Sequence, residues 1–251
     1  MDTANRFTVN AYADASGFLT LRGRPAVQSA TAQVFLSGLT VDELPPGPVQ
    51  ATTVLALDMN DRSFAGAAYA AAGFSEFILD GTTTTQTTVT RTYGGLTVTL
   101  AGVGVAVDDR ERAGAPANSG AFTGSPLLRD YIFAVSGAVG TGMDVTVSGL
   151  TAGASYLLEL WSFDTSSAST ARTSDWTVDG AFLWDNYAFN GANLPATNND
   201  YKMAGVFTAN ASGQIVISGQ LVVNAPAIFL NALRVSSLVR RHRRRPDESN
   251  C

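Results

Sequence analysis

The sequence predicts an all-β protein, an antiparallel β-sandwich of the jelly-roll type, on three observations. Short stretches alternate apolar and polar residues with a period of two, as at Leu96, Val98 and Leu100. Turn signals rich in glycine separate these stretches. No long helical pattern competes with them, because the one helix-like run, residues 65–72, is short and contains an internal glycine.

The same alternation recurs along the chain and defines further strands. Met143, Val145 and Val147 predict one of them, and Ile215 with Ile217 predicts another. The turn signals between strands are Asp80-Gly81, Tyr93-Gly94-Gly95, Gly149 to Gly153, Asp179-Gly180, Asn190-Gly191 and Ser212-Gly213. Eight or more short strands without a long helix are typical of a β-sandwich.

An internal repeat predicts how the chain is divided into modules. Residues 7–24 and 34–41 resemble residues 206–220 and 228–235, with an Ala-Ser-Gly turn at the same place in both copies. The fold class therefore includes an N-terminal partial copy of the same module. The sequence leaves open the alternative that the first copy only adds strands to a single sandwich.

The repeat sets four expected boundaries. Residues 1–44 are predicted to be the C-terminal strands of a preceding repeat, and residues 45–51 a proline-rich linker. Residues 52–238 form the complete sandwich, and residues 239–251 a basic disordered tail, to which we assign no function.

Composition excludes several kinds of chemistry. The only histidine is His242 and the only cysteine is Cys251, both in the predicted tail. Residues 1–238 therefore cannot form a disulfide, a Cys/His zinc site, an iron–sulfur cluster or an imidazole-dependent triad. The formal net charge is −5, so no nucleic-acid partner is expected. No apolar run approaches the ~20 residues that a membrane span needs.

The first candidate binding strip is the irregular stretch 108–130, which carries Arg110, Arg112 and Arg129 among several acids. Binding residues are commonly found on long loops of a rigid sandwich, and planar guanidinium groups can hydrogen-bond vicinal hydroxyls in pairs. The alternative is that these charges pair with one another and hold the loop to the sandwich.

The second candidate strip is aromatic and runs from Tyr156 to about Tyr187. On a strand, Glu159 and Trp161 share the face opposite the apolar residues Leu158 and Leu160. A tryptophan beside a carboxylate suits stacking on a sugar ring with hydrogen bonds to its hydroxyls. Trp176 and Trp184 extend this strip. The alternative is that these tryptophans fill the space between the sheets.

Carboxylates offer two weaker possibilities. Glu159 with Asp164 or Asp175 could serve a glycoside hydrolase, although nothing in the sequence sets the separation that this chemistry needs. Asp58 and Asp61 could help backbone carbonyls to hold a structural calcium ion, since that ion prefers oxygen ligands. No other cofactor is expected.

At this point the chain resembles a family of repeated β-sandwich modules, malectin-like and galactose-binding-like jelly rolls, from large secreted proteins of planctomycete- or verrucomicrobium-like bacteria. The motifs that carry the resemblance are Asp-Asp-Arg-x-Arg at 108–112, Ser-Gly-Ala-Phe-Thr at 119–123, Leu-Leu-Arg-Asp-Tyr-Ile-Phe at 127–133, Gly-Met-Asp-Val-Thr-Val-Ser-Gly-Leu at 142–150, Leu-Trp-Ser-Phe-Asp at 160–164, Ser-Asp-Trp at 174–176 and Phe-Leu-Asn-Ala-Leu at 229–233. The resemblance implies an extracellular or cell-surface, non-catalytic module, often present in tandem.

Two functions follow as expectations. The first is a carbohydrate-binding module whose partner is a polysaccharide or glycan. Its predicted contact residues are Trp161, Glu159, Trp176, Arg110, Arg112 and Arg129. The alternative is a structural repeat of a bacterial adhesin, sheath or filament, in which residues 1–44 add strands to a neighbouring copy of the chain.

Overall fold

The computed structural model describes residues 49–64, 66, 69–81, 85–113, 115–166, 172–222 and 225–240. The predicted partial copy, residues 1–44, lies outside the described residues. The assembly alternative rests on that copy and lies outside them as well. So do residues 45–48 of the predicted linker and residues 241–251 of the predicted tail.

Fourteen strands make up most of the described residues. In chain order they are β1 (Val49–Met59), β2 (Ser75–Phe77), β3 (Thr88–Tyr93), β4 (Leu96–Val103), β5 (Val107–Glu111), β6 (Asp130–Gly137), β7 (Gly142–Ser148), β8 (Ser155–Trp161), β9 (Arg172–Val178), β10 (Ala181–Phe189), β11 (Lys202–Thr208), β12 (Gln214–Leu221), β13 (Ala225–Leu230) and β14 (Ala232–Arg240). Helical structure in these ranges is limited to a 3₁₀ turn at Arg62–Phe64 and the short helix α1 (Ser125–Arg129).

The strands form a five-stranded sheet, β11-β8-β14-β1-β2, a six-stranded sheet, β10-β9-β12-β7-β4-β3, and a three-stranded sheet, β13-β6-β5. Neighbouring strands are antiparallel except for β1 and β2. The predicted all-β antiparallel sandwich is therefore confirmed. The strands β10 and β11 are edge strands of the two larger sheets and contact each other.

One apolar core joins the sheets, and the period-two pattern supplies it. Val98, Leu100, Val145, Ile215 and Ile217 are each 0% exposed. Their polar neighbours along the same strands face outward, as alternation on a pleated strand requires. Burying these branched side chains gives the sandwich its main stabilisation, since about 25 cal/mol is gained per Å² of apolar surface removed from water.

Two of the predicted turns are tight hairpins. Between β3 and β4, Gly94 has φ 55° and Gly95 has φ 94°. Between β9 and β10, Asp179 has φ 48° and Gly180 has φ 80°. Two successive positive φ values are the signature of the turn type that matches the twist of a two-residue hairpin.

The helix-like run, residues 65–72, is described only in part. Its described residues, 66 and 69–72, form turns and bends, while the short helix α1 follows Gly124 with Pro126 in its first turn. No helix among the described residues is long and apolar enough to cross a membrane. Strand β1 begins at Val49, inside the range assigned to the linker, and pairs there with Arg240 at the end of β14.

Candidate functional site

Along strand β8, Glu159 and Trp161 alternate with Leu158 and Leu160, so the two pairs lie on opposite faces of the sheet. Trp161 is only 4% exposed, so other side chains cover it. The ring of Phe74 meets the indole edge-on at 5.9 Å between centroids. We call Phe74, Glu159, Trp161, Lys202 and Arg234 the Trp161 cluster.

Two cations from the flanking strands complete the Trp161 cluster. Lys202 on β11 donates a hydrogen bond of 2.6 Å to Oε1 of Glu159, and Arg234 on β14 donates one of 3.2 Å to Oε2. Their charged groups also lie 5.6 Å and 5.3 Å from the Trp161 ring centroid. Lys202 and Arg234 thus bind both oxygens of Glu159 and lie against the indole of Trp161.

Trp176 lies in the interior, in contrast to the expectation that it contacts a ligand. It is 0% exposed, and its ring nitrogen donates a hydrogen bond of 3.1 Å to Oγ of Ser174. A Cβ added to Gly219 would lie 2.8 Å from the indole, so the glycine makes room for the ring. Trp176 therefore fills the core, which is what the alternative expectation stated.

The three arginines of the first strip point to different partners and form no common site. The guanidinium of Arg110, on β5, lies 5.1 Å from the ring centroid of Phe133. Arg112 binds the buried carboxylate of Asp164 with two hydrogen bonds of 2.8 Å and 3.1 Å. Such paired contacts to a carboxylate are strong and directional, and they hold the loop after β5 against the sandwich.

Arg129 has a third set of partners. Its Nη2 donates a hydrogen bond of 3.1 Å to the carbonyl of Tyr69, and ion pairs of 3.6 Å and 3.7 Å join it to Glu111 and Asp130. This arginine fastens α1 to the segment after β1. Arg129 therefore pairs with other groups of the protein, which is the alternative given for this strip.

The carboxylates nominated for hydrolysis also have partners within the protein. Asp164 accepts hydrogen bonds from Arg112 and from Ser166. Asp175 accepts one of 2.8 Å from the backbone N–H of Asn186, and burial raises the pKa of Asp175. Glu159 is held in the Trp161 cluster.

A pocket that the sequence did not reveal lies where β10 and β11 meet. Its volume is about 210 Å³. The residues that line it are Trp184, Tyr187, Ala188, Asn199, Asp200, Tyr201 and Lys202. We call it the edge pocket, because β10 and β11 are edge strands of the two large sheets. It combines three aromatic rings with polar groups in one concavity, as small-molecule sites commonly do.

An irregularity in β10 positions two of these rings. The pairing of β10 with β9 shifts register on both sides of Trp184, and Asn186 has a φ of 52°. Bulges of this kind turn side chains away from the regular alternation. The hydroxyl of Tyr187 donates a hydrogen bond of 2.5 Å to the carbonyl of Ser162, and its ring meets Trp184 edge-on at 6.0 Å.

Tyr201 also lines the edge pocket. Its φ of 58° is unusual for a bulky side chain. The ring stacks on Phe163 at 4.2 Å between centroids, and the hydroxyl donates a hydrogen bond to the carbonyl of Asn193. Burial, and next the charge of Asp200, raise the pKa of Tyr201. Strained backbone held by its surroundings is found most often at functional sites.

Polar groups border the rings. Oδ2 of Asp200 accepts the backbone N–H groups of Ala196 at 2.7 Å and Thr197 at 2.9 Å, which fixes the loop before β11. The adjacent Asn199 is exposed. Lys202 belongs to both sites, since it lines the edge pocket and binds Glu159.

The sequence analysis placed only part of the edge pocket's lining in a candidate site. Trp184 belonged to the aromatic strip, but residues 190–201 show neither the strand nor the helix period, so no pattern assigned Asp200 or Tyr201 to a site. Contact between the two sheet edges is a long-range feature, and a period in the sequence reports only local structure.

The two predicted calcium ligands differ in environment. Asp58 is 0% exposed, whereas both oxygens of Asp61 accept backbone N–H groups, from Ser63 at 2.7 Å and Glu111 at 3.0 Å. Within the part of the chain that the structure describes, no three side chains of the His, Cys, Asp or Glu type converge as metal ligands.

Comparison with solved structures finds similar β folds. The CBM22-1 xylan-binding domain from Paenibacillus barcinonensis Xyn10C has a TM-score of 0.35 and 13% identity, over 63% of this chain and 90% of that one. A family 35 carbohydrate binding module from Clostridium thermocellum has a TM-score of 0.29 and 16% identity, over 51% and 90%. The EclA C-terminal domain, a sugar-binding protein, has a TM-score of 0.29 and 22% identity, over 41% and 69%.

No protein-family model matches the sequence, and no curated protein does. At TM-scores as low as these, the similar structures assign neither a family nor a ligand to this chain. We therefore base the function on the chain's own residues.

Proposed function

We propose that this chain is a non-catalytic carbohydrate-binding module and that its sugar site is the edge pocket. The observation that carries this proposal is the meeting of Trp184, Tyr187 and Tyr201 with Asn199 and Asp200 in one concave site. Sugar recognition needs both kinds of group, because a sugar ring has apolar C–H faces and a rim of hydroxyls.

The aromatic walls supply a rigid apolar surface. Hydrogen bonds from the hydroxyls of Tyr187 and Tyr201 to backbone carbonyls hold both rings in place before any ligand arrives. Such preorganisation lowers the entropic cost of binding. Trp184 is half-buried, so part of its ring remains accessible. It is the wall best suited to lie against a sugar ring.

The polar rim supplies acceptors and donors for hydroxyls. Asp200 uses Oδ2 for the two loop amides, and its Oδ1 makes no hydrogen bond to any described residue. Asn199 adds an amide with two donors and an acceptor. An acid and an amide at adjacent positions can bond neighbouring hydroxyls of one sugar ring.

The size of the pocket limits the ligand. Its volume of about 210 Å³ is below the ~300–1,000 Å³ range typical of drug-sized ligands. We therefore expect it to take a single sugar ring, such as the end of a glycan or a side branch. An extracellular or cell-surface location and a role as one repeat of a longer secreted protein belong to the same proposal.

The test compares two aromatic residues on one strand. Trp184→Ala removes a wall of the edge pocket, whereas Phe182→Ala removes a side chain that is 60% exposed and outside the lining. The glycan is first identified on a glycan array and by affinity gels with soluble polysaccharides, and its dissociation constant is then measured by titration calorimetry. We expect Trp184→Ala to weaken binding at least about tenfold, as for a central aromatic contact, and Phe182→Ala to leave it unchanged.

Two results contradict the proposal. One is that the wild-type protein binds no glycan or polysaccharide. The other is that Trp184→Ala binds as tightly as the wild type while its circular dichroism spectrum and unfolding midpoint show an intact fold.

A further inference from the structure

One face of the three-stranded sheet carries three aromatic rings in mutual contact. Tyr131 and Phe133 are two residues apart on β6, and Phe229 on β13 pairs directly with Phe133. Ring centroids are 4.9 Å apart for Tyr131 and Phe229, 5.8 Å for Tyr131 and Phe133, and 6.2 Å for Phe133 and Phe229. We call these residues the aromatic platform. It lies on the face opposite Ile132 and Leu230, because side chains alternate along each strand.

A guanidinium group lies over each ring of the aromatic platform. The pairs, with the distance from the guanidinium carbon to the ring centroid, are Arg110 over Phe133 at 5.1 Å, Arg172 over Phe229 at 5.4 Å and Arg112 over Tyr131 at 5.6 Å. We call these three arginines the arginine cluster, in which Arg129 takes no part. Arginine suits this position because its planar group contacts a ring and still has N–H groups to donate.

The acids beside the arginine cluster are already engaged. Asp164 is buried and binds Nε and Nη2 of Arg112, which leaves Nη1 outside this pair. Asp108, which pairs with the platform strand β6, binds Arg62. Arg110 is exposed and makes no hydrogen bond or ion pair with any described residue. Its positive charge therefore has no counter-charge in the part of the chain that the structure describes.

Two members of the arginine cluster are close enough to repel each other. Burial lowers the pKa of Arg172, the charge of Arg112 adds to this effect, and Asp164 opposes it. Two like charges in a half-buried place destabilise each other unless an anion lies beside both. An anion bound here would relieve that repulsion and supply the counter-charge that Arg110 lacks.

We propose that the arginine cluster binds a sulfate ester group of an acidic polysaccharide. Arginine donates forked pairs of N–H groups to oxyanions. Arg110 and Arg112 reach the platform from β5 and its end, whereas Arg172 reaches it from the start of β9, so donors come from two sides. A sulfate ester presents three terminal oxygens around one sulfur atom and accepts from several directions, whereas a carboxylate accepts mainly within its own plane.

The arginine cluster is a neighbour of the edge pocket but shares no residue with it. The ring of Phe189 lies between them, with its centroid 5.9 Å from that of Phe229 and 6.2 Å from that of Tyr201. The proposal goes beyond the sugar site, because an anion can bind the arginines whether or not a neutral sugar binds the edge pocket.

The first experiment asks whether the full chain binds a sulfated polymer. Dextran sulfate is titrated into the protein by calorimetry at one fixed ionic strength, with dextran of equal length as the uncharged control. We expect dextran sulfate to bind and polygalacturonate at equal charge to bind at least about tenfold more weakly. The net charge of −5 opposes diffuse attraction of a polyanion, so binding needs a local site. Trp184→Ala should bind dextran sulfate as the wild type does, which separates this site from the edge pocket.

Matched variants locate the site. Arg110→Ala should weaken dextran sulfate binding about tenfold, since a hydrogen bond to a charged group is lost. Arg110→Lys keeps the charge but loses the fork, so it should restore only part of the affinity. Arg91→Ala is the control, because it removes the same charge from an arginine that pairs with Asp80 instead, and it should bind as the wild type does. Circular dichroism and the unfolding midpoint check that each variant is folded.

The arginine-rich run at 240–245 is the competing anion site. A variant with Arg243→Ala, Arg244→Ala and Arg245→Ala should keep most of the affinity for dextran sulfate. The proposal is overturned by an absence of dextran sulfate binding, by equal losses in Arg110→Ala and Arg91→Ala, or by a loss confined to the variant of residues 243–245. Equal affinity for polygalacturonate overturns the choice of a sulfate ester.

Discussion

The Trp161 cluster and the edge pocket both place a tryptophan near a carboxylate, and they share Lys202. In the Trp161 cluster, cations on both flanking strands lie against the indole and bind both oxygens of Glu159. In the edge pocket, Trp184 stays partly exposed, and Oδ1 of Asp200 makes no hydrogen bond to a described residue. The difference comes from the strands alongside: β8 is an inner strand with neighbours on both sides, whereas β10 and β11 are edges.

This comparison shows that a tryptophan beside an acid stays accessible only when nothing on the adjacent strands covers it. Glu159 is paired across the sheet with Ala204 on one side and with Arg234 on the other. Trp161 is paired with Lys202 and Ala232. One long cation on each flanking strand is enough to turn a possible binding surface into a packed structural contact.

The largest expected effect separates a core tryptophan from a pocket tryptophan. Trp176→Ala should lower the free energy of unfolding by about 3–5 kcal/mol, because it empties a fully buried space beside Gly219. Trp184→Ala should lower it by less than about half as much, since its ring is only half-buried. Urea unfolding followed by far-UV circular dichroism measures both. Equal losses in the two variants would contradict the assignment of the two rings to core and pocket.

A smaller effect tests whether the Trp161 cluster is structural. Glu159→Gln should destabilise the fold by about 1–2 kcal/mol, because Lys202 and Arg234 lose a charged partner that is 8% exposed. The two cations are partly exposed to water, which keeps the loss below that of a fully buried pair. Glycan affinity should stay within about twofold of the wild type. A large loss of affinity at unchanged stability would place the sugar on this cluster instead.

The smallest effect on stability concerns Asp200, whose substitution should act mainly on glycan affinity. Asp200→Asn retains a side-chain oxygen for the loop amides, so the free energy of unfolding should change by no more than about 0.5 kcal/mol. The exchange of a charged acceptor for a neutral one in the edge pocket should weaken glycan binding about three- to tenfold, because a hydrogen bond to a charged group is stronger than a neutral one by about 1 kcal/mol. The control is Asn199→Asp, which makes the opposite change, from an amide to a carboxylate, at the neighbouring lining residue. Stability and affinity that fall together would indicate that Asp200 acts only through the loop.

Much of the fold followed from local patterns. The alternation at Val98 and Leu100 placed the correct side chains in the core, and the glycines at 94 and 180 marked hairpins that the structure contains. On β8, Glu159 and Trp161 were expected on an accessible face, but both are buried. The helix-like run predicted no long helix, because it is short and contains a glycine, and its described residues, 66 and 69–72, are not helical.

The candidate sites were less predictable, because each depends on segments that are distant in sequence. The edge pocket needs an irregular β10 and a loop without periodicity. Register shifts and positive φ values at Asn186 and Tyr201 leave no trace in an apolar–polar pattern, which reports a side chain's face but not its neighbours.

The sequence by itself determined the fold class, the alternation of faces and the exclusion of cysteine and histidine chemistry from residues 1–238, because each follows from residue type and local period. The tertiary structure alone decided which acids and aromatic rings are accessible. Exposure depends on what the adjacent strands place alongside, so Glu159 became a structural ion-pair partner, Trp176 a core residue and Trp184 the wall of a pocket.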